Sequence, residues 1–505
     1  MYKRQQLYLY QNLDKVERAR LHQVTGEALE TLAEEHSGEP AITQASPVNL
    51  AWHFEQAGIK DKAIAYLRQA GERSHALAAN DEAIAHYSQA LQLIESLPRT
   101  PERAGQELEL QLFLGAPLVS LKGYAAPELG QLFTHACELA RQTGDRQLIF
   151  TAQFLLNMFY FVKADYGKSL ELGADLSRMA EGAQNELLIQ HACLSVGMTR
   201  FFLGDFTAAQ DYLERLIAVG VLSERNLLSS LMGATTLLTG LVFQSHVLWL
   251  LGYPTQSVQR CQEAAARVQG LDYPYSLAIV LGYGVCMHHQ LSREYHQVQS
   301  YSEELLELSK EKGFGMFQAW GMMFLGWAQV EHGEMEAGLD NLRQGLAEYQ
   351  ATGQKISLSL LLVMFAEAYG KSGQVEKGLE QIERALAFIE ETGERFAEAE
   401  ALRVKGQLLS QRHHQALEDG EGEEINLQIE ECFRRAIEVA HEQEAKSWEL
   451  RAVISLTRLL QAQSREAEVI ALLEEITGWF TEGWDTEDMQ EAQALLDLLR
   501  SRVVV

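Results

Sequence analysis

Proline is scarce in this chain, 8 residues in 505, and cysteine is scarcer still at 5. So few prolines leave long stretches free to be helical. The cysteines (137, 193, 261, 286 and 432) are odd in number, widely separated, and form no Cys-x-x-Cys pair. That disfavours a disulfide framework or a structural zinc site and leaves reduced, buried thiols. A charged-then-apolar leader is absent at the N-terminus, so a cytoplasmic location is expected. Positive charge is also short, with 42 Lys and Arg against 70 Asp and Glu and a net charge of −28. Such a field repels phosphate backbones, and nucleic acid is not expected as a partner. Neither His-Glu-x-x-His nor Gly-x-Ser-x-Gly occurs, and no kinase loop or dinucleotide fingerprint does. The expectation is therefore no enzymatic activity, no cofactor, and no catalytic, cofactor-binding or metal residue.

Some patterns imitate chemistry. Gly167-Lys-Ser169 and Gly370-Lys-Ser372 spell the end of a phosphate-binding loop. That loop also needs a glycine five residues earlier, after a buried strand, whereas Val162 and Phe365 stand there inside helical patterns. His288-His289 and His413-His414 are neighbours on a helix and point to different sides, so neither pair chelates by itself. His53, His86 and His135 read as interface or surface groups, and Trp249, Trp320 and Trp327 as core. From Asn226 to Gln259 there is no Asp, Glu, Lys or Arg. Length alone would let this stretch cross a membrane, but its Ser, Thr, Gln and His content favours a buried helix pair, and no membrane partner is expected.

A phrase that returns every forty residues is the strongest positive signal. Glu331-His-Gly-Glu-Met-Glu-Ala-Gly338 matches Lys371-Ser-Gly-Gln-Val-Glu-Lys-Gly378, and 378 − 338 = 40. Gly313, Gly353 and Gly393 close successive units where a helix end favours a left-handed residue. In Ala63, Tyr66, Leu67, Ala70 and in Ala83, Tyr87, Ala90, Leu91, small residues alternate with an aromatic at helical spacing. This resembles the tetratricopeptide pattern, with the turn visible in Leu203-Gly-Asp-Phe-Thr-Ala-Ala209. It predicts an all-α, right-handed α-solenoid of helical hairpins with a period of about 40 residues. About nine extra residues fall near Val219 to Asn226. The expected divisions are a helical linker over 1–46, first hairpins over 47–100, a solenoid over 101–410, an acidic disordered loop over 411–426, and hairpins with a capping helix over 427–505.

Specific phrases carry a resemblance to a bacterial signalling family. They are Trp479-Phe-Thr-Glu-Gly-Trp-Asp-Thr-Glu-Asp-Met-Gln-Glu-Ala-Gln-Ala-Leu-Leu496, Lys122-Gly-Tyr-Ala-Ala-Pro-Glu128, Thr392-Gly-Glu-Arg-Phe-Ala-Glu-Ala-Glu400, Ala445-Lys-Ser-Trp-Glu-Leu-Arg451 and Leu50-Ala-Trp-His-Phe-Glu-Gln-Ala-Gly58. Proteins of that family join an adenylate/guanylate cyclase or protein kinase domain to an AAA-type ATPase and then to tetratricopeptide repeats. The resemblance implies that this chain is the repeat region, preceded by the remnant of a winged-helix-like link, and that it is a fragment of a longer protein. Its function would be a non-enzymatic interaction and sensor module that takes a protein or peptide on a concave surface and gates the upstream ATPase and output domain. Alternatives are the repeat region of an ATP-dependent transcription regulator and a stand-alone adaptor. The apolar residues Leu7, Leu13, Val16 and Leu21, which would meet the ATPase, are expected to promote self-association when it is missing.

Overall fold

The computed structural model describes residues 10, 12–35, 46–77, 79–220, 235–269, 271, 274–415, 422–465 and 467–503. Every regular element among them is helical. The chain forms two compact units, one ending at Leu156 and the other beginning at Asn157. The division falls inside a helix rather than at 46/47 or 100/101.

The first unit holds α1 (Lys15–Glu35), α2 (Pro47–Gln56), α3 (Lys60–Ala76), α4 (Asn80–Glu95), α5 (Pro101–Lys122), α6 (Pro127–Thr143) and the start of α7 (Arg146–Val162). The stretch read as a linker thus contains one long helix, α1. Local chemistry sets the starts. Ser46 and Thr100 accept from backbone N–H groups three residues on, and a proline follows each. Leu50, Phe54 and Ala63 form a core cluster against Leu29, Ile59, Tyr66 and Leu93. The small-beside-aromatic pattern is how these helices approach. A Cβ on Gly71 would meet Tyr87 at 2.6 Å, and one on Gly115 would meet Phe133 at 2.9 Å.

The second unit repeats a hairpin. Its helices are the end of α7, α8 (Tyr166–Ala183), α9 (Glu186–Phe202), α10 (Phe206–Val219), α11 (Thr236–Leu250), α12 (Pro254–Val268) and α13. Helix α13 runs Pro274–Ile279, then a π-helical stretch Val280–Cys286, then Met287–Leu291. There follow α14 (Tyr295–Lys312), α15 (Gly315–Glu331), α16 (Met335–Ala351), α17 (Leu358–Lys371), α18 (Val375–Thr392), α19 (Glu398–Gln415), α20 (Gly422–Glu442), α21 (Lys446–Ala462), α22 (Ala467–Trp479) and α23 (Glu487–Val503). Both ends of the expected 411–426 loop are therefore helical, and 416–421 lie outside the described residues. So do 221–234, where most of the extra residues near Val219 to Asn226 were expected.

One turn is used again and again. After the first helix of seven hairpins comes a residue with positive φ, at Ala164, Gly204, Gly252, Arg293, Gly333, Gly373 and Ser464. The N–H of the next residue bonds back to the helix, as in Asp205 to Arg200 O and Glu334 to Gln329 O, which is a Schellman closure. From Ala164 to Gly204 is 40 residues, and Arg293 to Gly333 to Gly373 keeps that step, while Gly204 to Gly252 takes 48.

The two helices of a hairpin differ in kind. In α11 every residue except Thr239 is buried, whereas α12 buries only Pro254, Ser257, Cys261, Ala264 and Val268. The first is an interior helix packed on all sides, and the second is amphipathic, with a solvent face. That is the origin of the charge-free stretch. Among the described residues no helix is long and apolar enough to cross a membrane. The forty-residue phrase also has a steric cause. A Cβ on Gly338 would stand 2.6 Å from Gly326 O and 2.9 Å from Val330 N. Gly338→Ala should therefore destabilise the chain by about 1–3 kcal/mol. Gly167→Ala, where a Cβ meets nothing within 4 Å, should cost nothing; denaturant titration of both variants checks this.

Candidate functional site

An interior helix of this kind leaves carbonyls unpaired in its last turn. In the second unit four successive interior helices have a last-turn carbonyl that accepts from far along the chain, and of these Trp249 O also accepts locally from Gly252 N at 3.0 Å. Lys355 donates its N–H to Val162 O at 2.8 Å, and Phe396 donates to Phe202 O at 3.2 Å. Ser447 donates its hydroxyl to Trp249 O, and Arg451 its guanidinium to Leu291 O. For the first two pairs the separations are 355 − 162 = 193 and 396 − 202 = 194. The turns entering α17 and α19 and the first turns of α21 thus dock on the C-terminal ends of α7, α9, α11 and α13. The superhelix of this unit closes on itself along a seam.

Aromatic rings fill the seam. Phe396 lies 5.1 Å from both Phe201 and Phe202, and Phe201 lies 5.6 Å from Phe243. Trp249 meets Trp448 edge-to-face at 5.0 Å, with Arg451 over both rings at 4.9 and 5.1 Å. Glycine allows close approach here, because a Cβ on Gly252 would meet Trp479 at 2.5 Å. Gly252 has φ +87, so the position needs glycine twice over.

Two buried polar groups hold the seam. Glu394 is fully buried and accepts from Tyr166 Oη at 2.5 Å, Ser357 N at 3.0 Å, Ser359 N at 3.0 Å and Ser359 Oγ at 2.7 Å. Burial pushes its carboxyl up to about 7, against the pull of these donors. The second group is a charge cluster. Arg403 binds Glu400 at 2.6 Å and Glu367 at 3.0 Å, Arg451 binds Asp488 at 2.7 Å, and Arg293 reaches Asp488 at 3.1 Å. Arg293 also reaches Glu491 at 3.7 Å, so three guanidinium groups meet four carboxylates. Burial alone would raise Glu400 and Asp488, but the arginines hold both below the usual carboxylate range.

The imitative motifs have structural roles. Lys168 pairs with Asp165 at 3.1 Å, and Ser169 bonds Asn157 and Thr199 in the interior. Lys371 pairs with Glu331. His288 is buried beside Ser245 and Ser257, and burial lowers its pKa to about 3; His289 bonds Glu294 at 2.9 Å. His53 pairs with His22, His135 with Glu107, and His86 is partly buried. His413 is half-buried, and the side chain of His414 lies outside the described residues. Trp249, Trp320 and Trp327 are core. All five cysteines are free.

The seam was missed in the sequence, though its residues were not. Thr392 to Glu400, Ala445 to Arg451 and Trp479 to Leu496, quoted above for their resemblance, contain Glu394, Phe396, Glu400, Ser447, Trp448, Arg451, Trp479 and Asp488.

No protein-family profile matches the chain. An uncharacterized protein of Rhizobium meliloti (strain 1021) is 23% identical over 338 residues, 64% of this chain. The chain spans 31% of that protein's length. Among solved structures, Rap protein complexed with Competence and Sporulation Factor has a TM-score of 0.48 and 11% identity, covering 82% of this chain and 99% of that one. Yeast Tom70 has a TM-score of 0.35 and 10% identity, covering 96% and 97%.

Glu394 gives the seam a pH dependence. The folded chain holds its proton to about 7, whereas an unfolded glutamate releases it near 4.3. Between these values the folded state binds more protons, so stability falls as pH rises through the window. Glu394→Gln removes this dependence. The wild-type minus variant difference in unfolding free energy should shrink by roughly 3 kcal/mol from pH 4 to pH 8, read by denaturant titration at each pH.

Proposed function

We propose that this chain is a non-enzymatic, protein- or peptide-binding repeat module whose binding is coupled to opening or tightening of the seam. A tetratricopeptide-like hairpin solenoid is an architecture suited to protein–protein interaction. The observation that carries the coupling is the set of carbonyls at Val162, Phe202, Trp249 and Leu291, capped by donors from the second half of the same unit. A ligand that reaches the interior helices must displace or rearrange these contacts. Binding then has different free energies in the closed and open states, which is the requirement for a switch.

In a longer parent protein, that change would bias an upstream ATPase and, through it, a cyclase or kinase output domain. The resemblance of the seam phrases supports this reading.

The test begins with peptides selected on the immobilised full chain from a displayed library. Bound peptide should shift tryptophan emission in the wild type, and the shift should be largely lost in Trp448→Phe, which removes one partner of the Trp249 pair. Binders that leave emission unchanged would sink the coupling. ATP hydrolysis or cyclisation by the chain alone would sink the non-enzymatic reading.

A further inference from the structure

Helix α1 carries apolar residues on two faces. One face packs on α2, where His22 Nδ1 lies 3.0 Å from His53 Nδ1 and Tyr10 Oη lies 2.8 Å from His22 Nε2. Burial lowers the pKa of both imidazoles, so the pair is uncharged near neutrality. The other face looks outward. Val16 is 77% exposed, Leu21 51% and Val24 58%, and Ala28 is exposed in line with them. The steps 21, 24 and 28 follow one helical stripe. Beside it, α2 presents Val48 and Trp52, and the Trp52 ring stands edge-to-face on His22 at 4.7 Å. Elsewhere exposed leucines such as Leu77, Leu121 and Leu427 stand singly, which is normal for a soluble surface. The outward face of α23 is more polar, with Glu487, Gln490, Gln493, Asp497 and Arg500 exposed beside Ala494 and Leu498.

Charge on α1 says what fits the stripe. Lys15, Arg18 and Arg20 fall in its first six residues, and no Lys or Arg follows in the helix. Glu27 and Glu30 lie in the second half, with Glu30 already engaged by Lys62 and Tyr66, which leaves Glu27 exposed. A second α1 laid parallel would set Arg20 beside Arg20. Laid antiparallel about Val24, it sets Arg20 beside Glu27 of the other copy on both sides of the dyad. A two-fold interface requires this kind of self-complementarity.

We propose that the outward face of α1 is a homodimer interface, on which a second copy of this chain docks its own α1 antiparallel, Val24 against Val24. This surface is separate from the seam, so the proposal stands or falls without it.

Sedimentation equilibrium of the full chain, from low to high micromolar concentration, should show a monomer–dimer equilibrium. Val24→Arg should shift it at least tenfold toward monomer, with the circular dichroism melt unchanged because the residue is exposed. Arg20→Glu and Glu27→Arg should each weaken the dimer, and the double variant should restore it. Val24→Cys should form a covalent dimer under mild oxidation faster than the wild type, whose cysteines are mostly buried. A wild-type chain that stays monomeric at every concentration overturns the proposal and leaves the face to another polypeptide. A dimer indifferent to Val24→Arg, or a double variant no better than the single ones, also overturns it.

Discussion

The second unit depends on one recurring bond, a donor from a later hairpin onto an unpaired carbonyl at the end of an earlier interior helix. Each such bond is modest, about 0.5–1.5 kcal/mol net. Leaving the carbonyl buried and unmet costs more, about 1–3 kcal/mol. Since Val162, Phe202 and Leu291 sit where the superhelix turns inward, closure is the way these groups are satisfied. The ring contacts at Phe396 and Trp448 follow from it, and so does the need for glycine at 252.

Closure also explains why charged groups are tolerated inside. Arg451 reaches Leu291 O at a helix C-terminus, where a cation is favoured, and is neutralised by Asp488 on α23. A hydrophobic replacement for such a cluster can be as stable, whereas removal of one member leaves an uncompensated charge. The cluster therefore favours one register of the seam over others. Glu394 differs, because burial outweighs the pull of its four donors and raises its carboxyl to about 7. The seam thus has one contact that ordinary changes of proton concentration can weaken.

The hairpin architecture was legible because it is local. The forty-residue step, the glycines at 313, 353 and 393, and the small-beside-aromatic stripes each follow from one hairpin's own packing. The seam was not legible, since its contacts join residues 160 to 228 apart and depend on superhelical pitch, which no single repeat encodes. Its trace lay in phrases such as Thr392-Gly-Glu-Arg-Phe396, which keeps the forty-residue step from Thr352-Gly-Gln-Lys-Ile356. Their specificity was visible, and their role in closing the unit was not. The apolar face at Val16 and Leu21 was also legible, whereas Trp52 beside it needed the α1–α2 packing to be seen. Leu7 lies outside the described residues.

The measurement that bears most directly on closure is amide hydrogen exchange of the ligand-free chain at Lys355 and Phe396. Both residues sit in connections between helices, where amides ordinarily exchange fast. Closure requires them to be protected to the degree seen in the interior helices α9 and α11. Exchange at the rate of an open turn would show that the seam does not hold in solution, and the coupling built on it would fall.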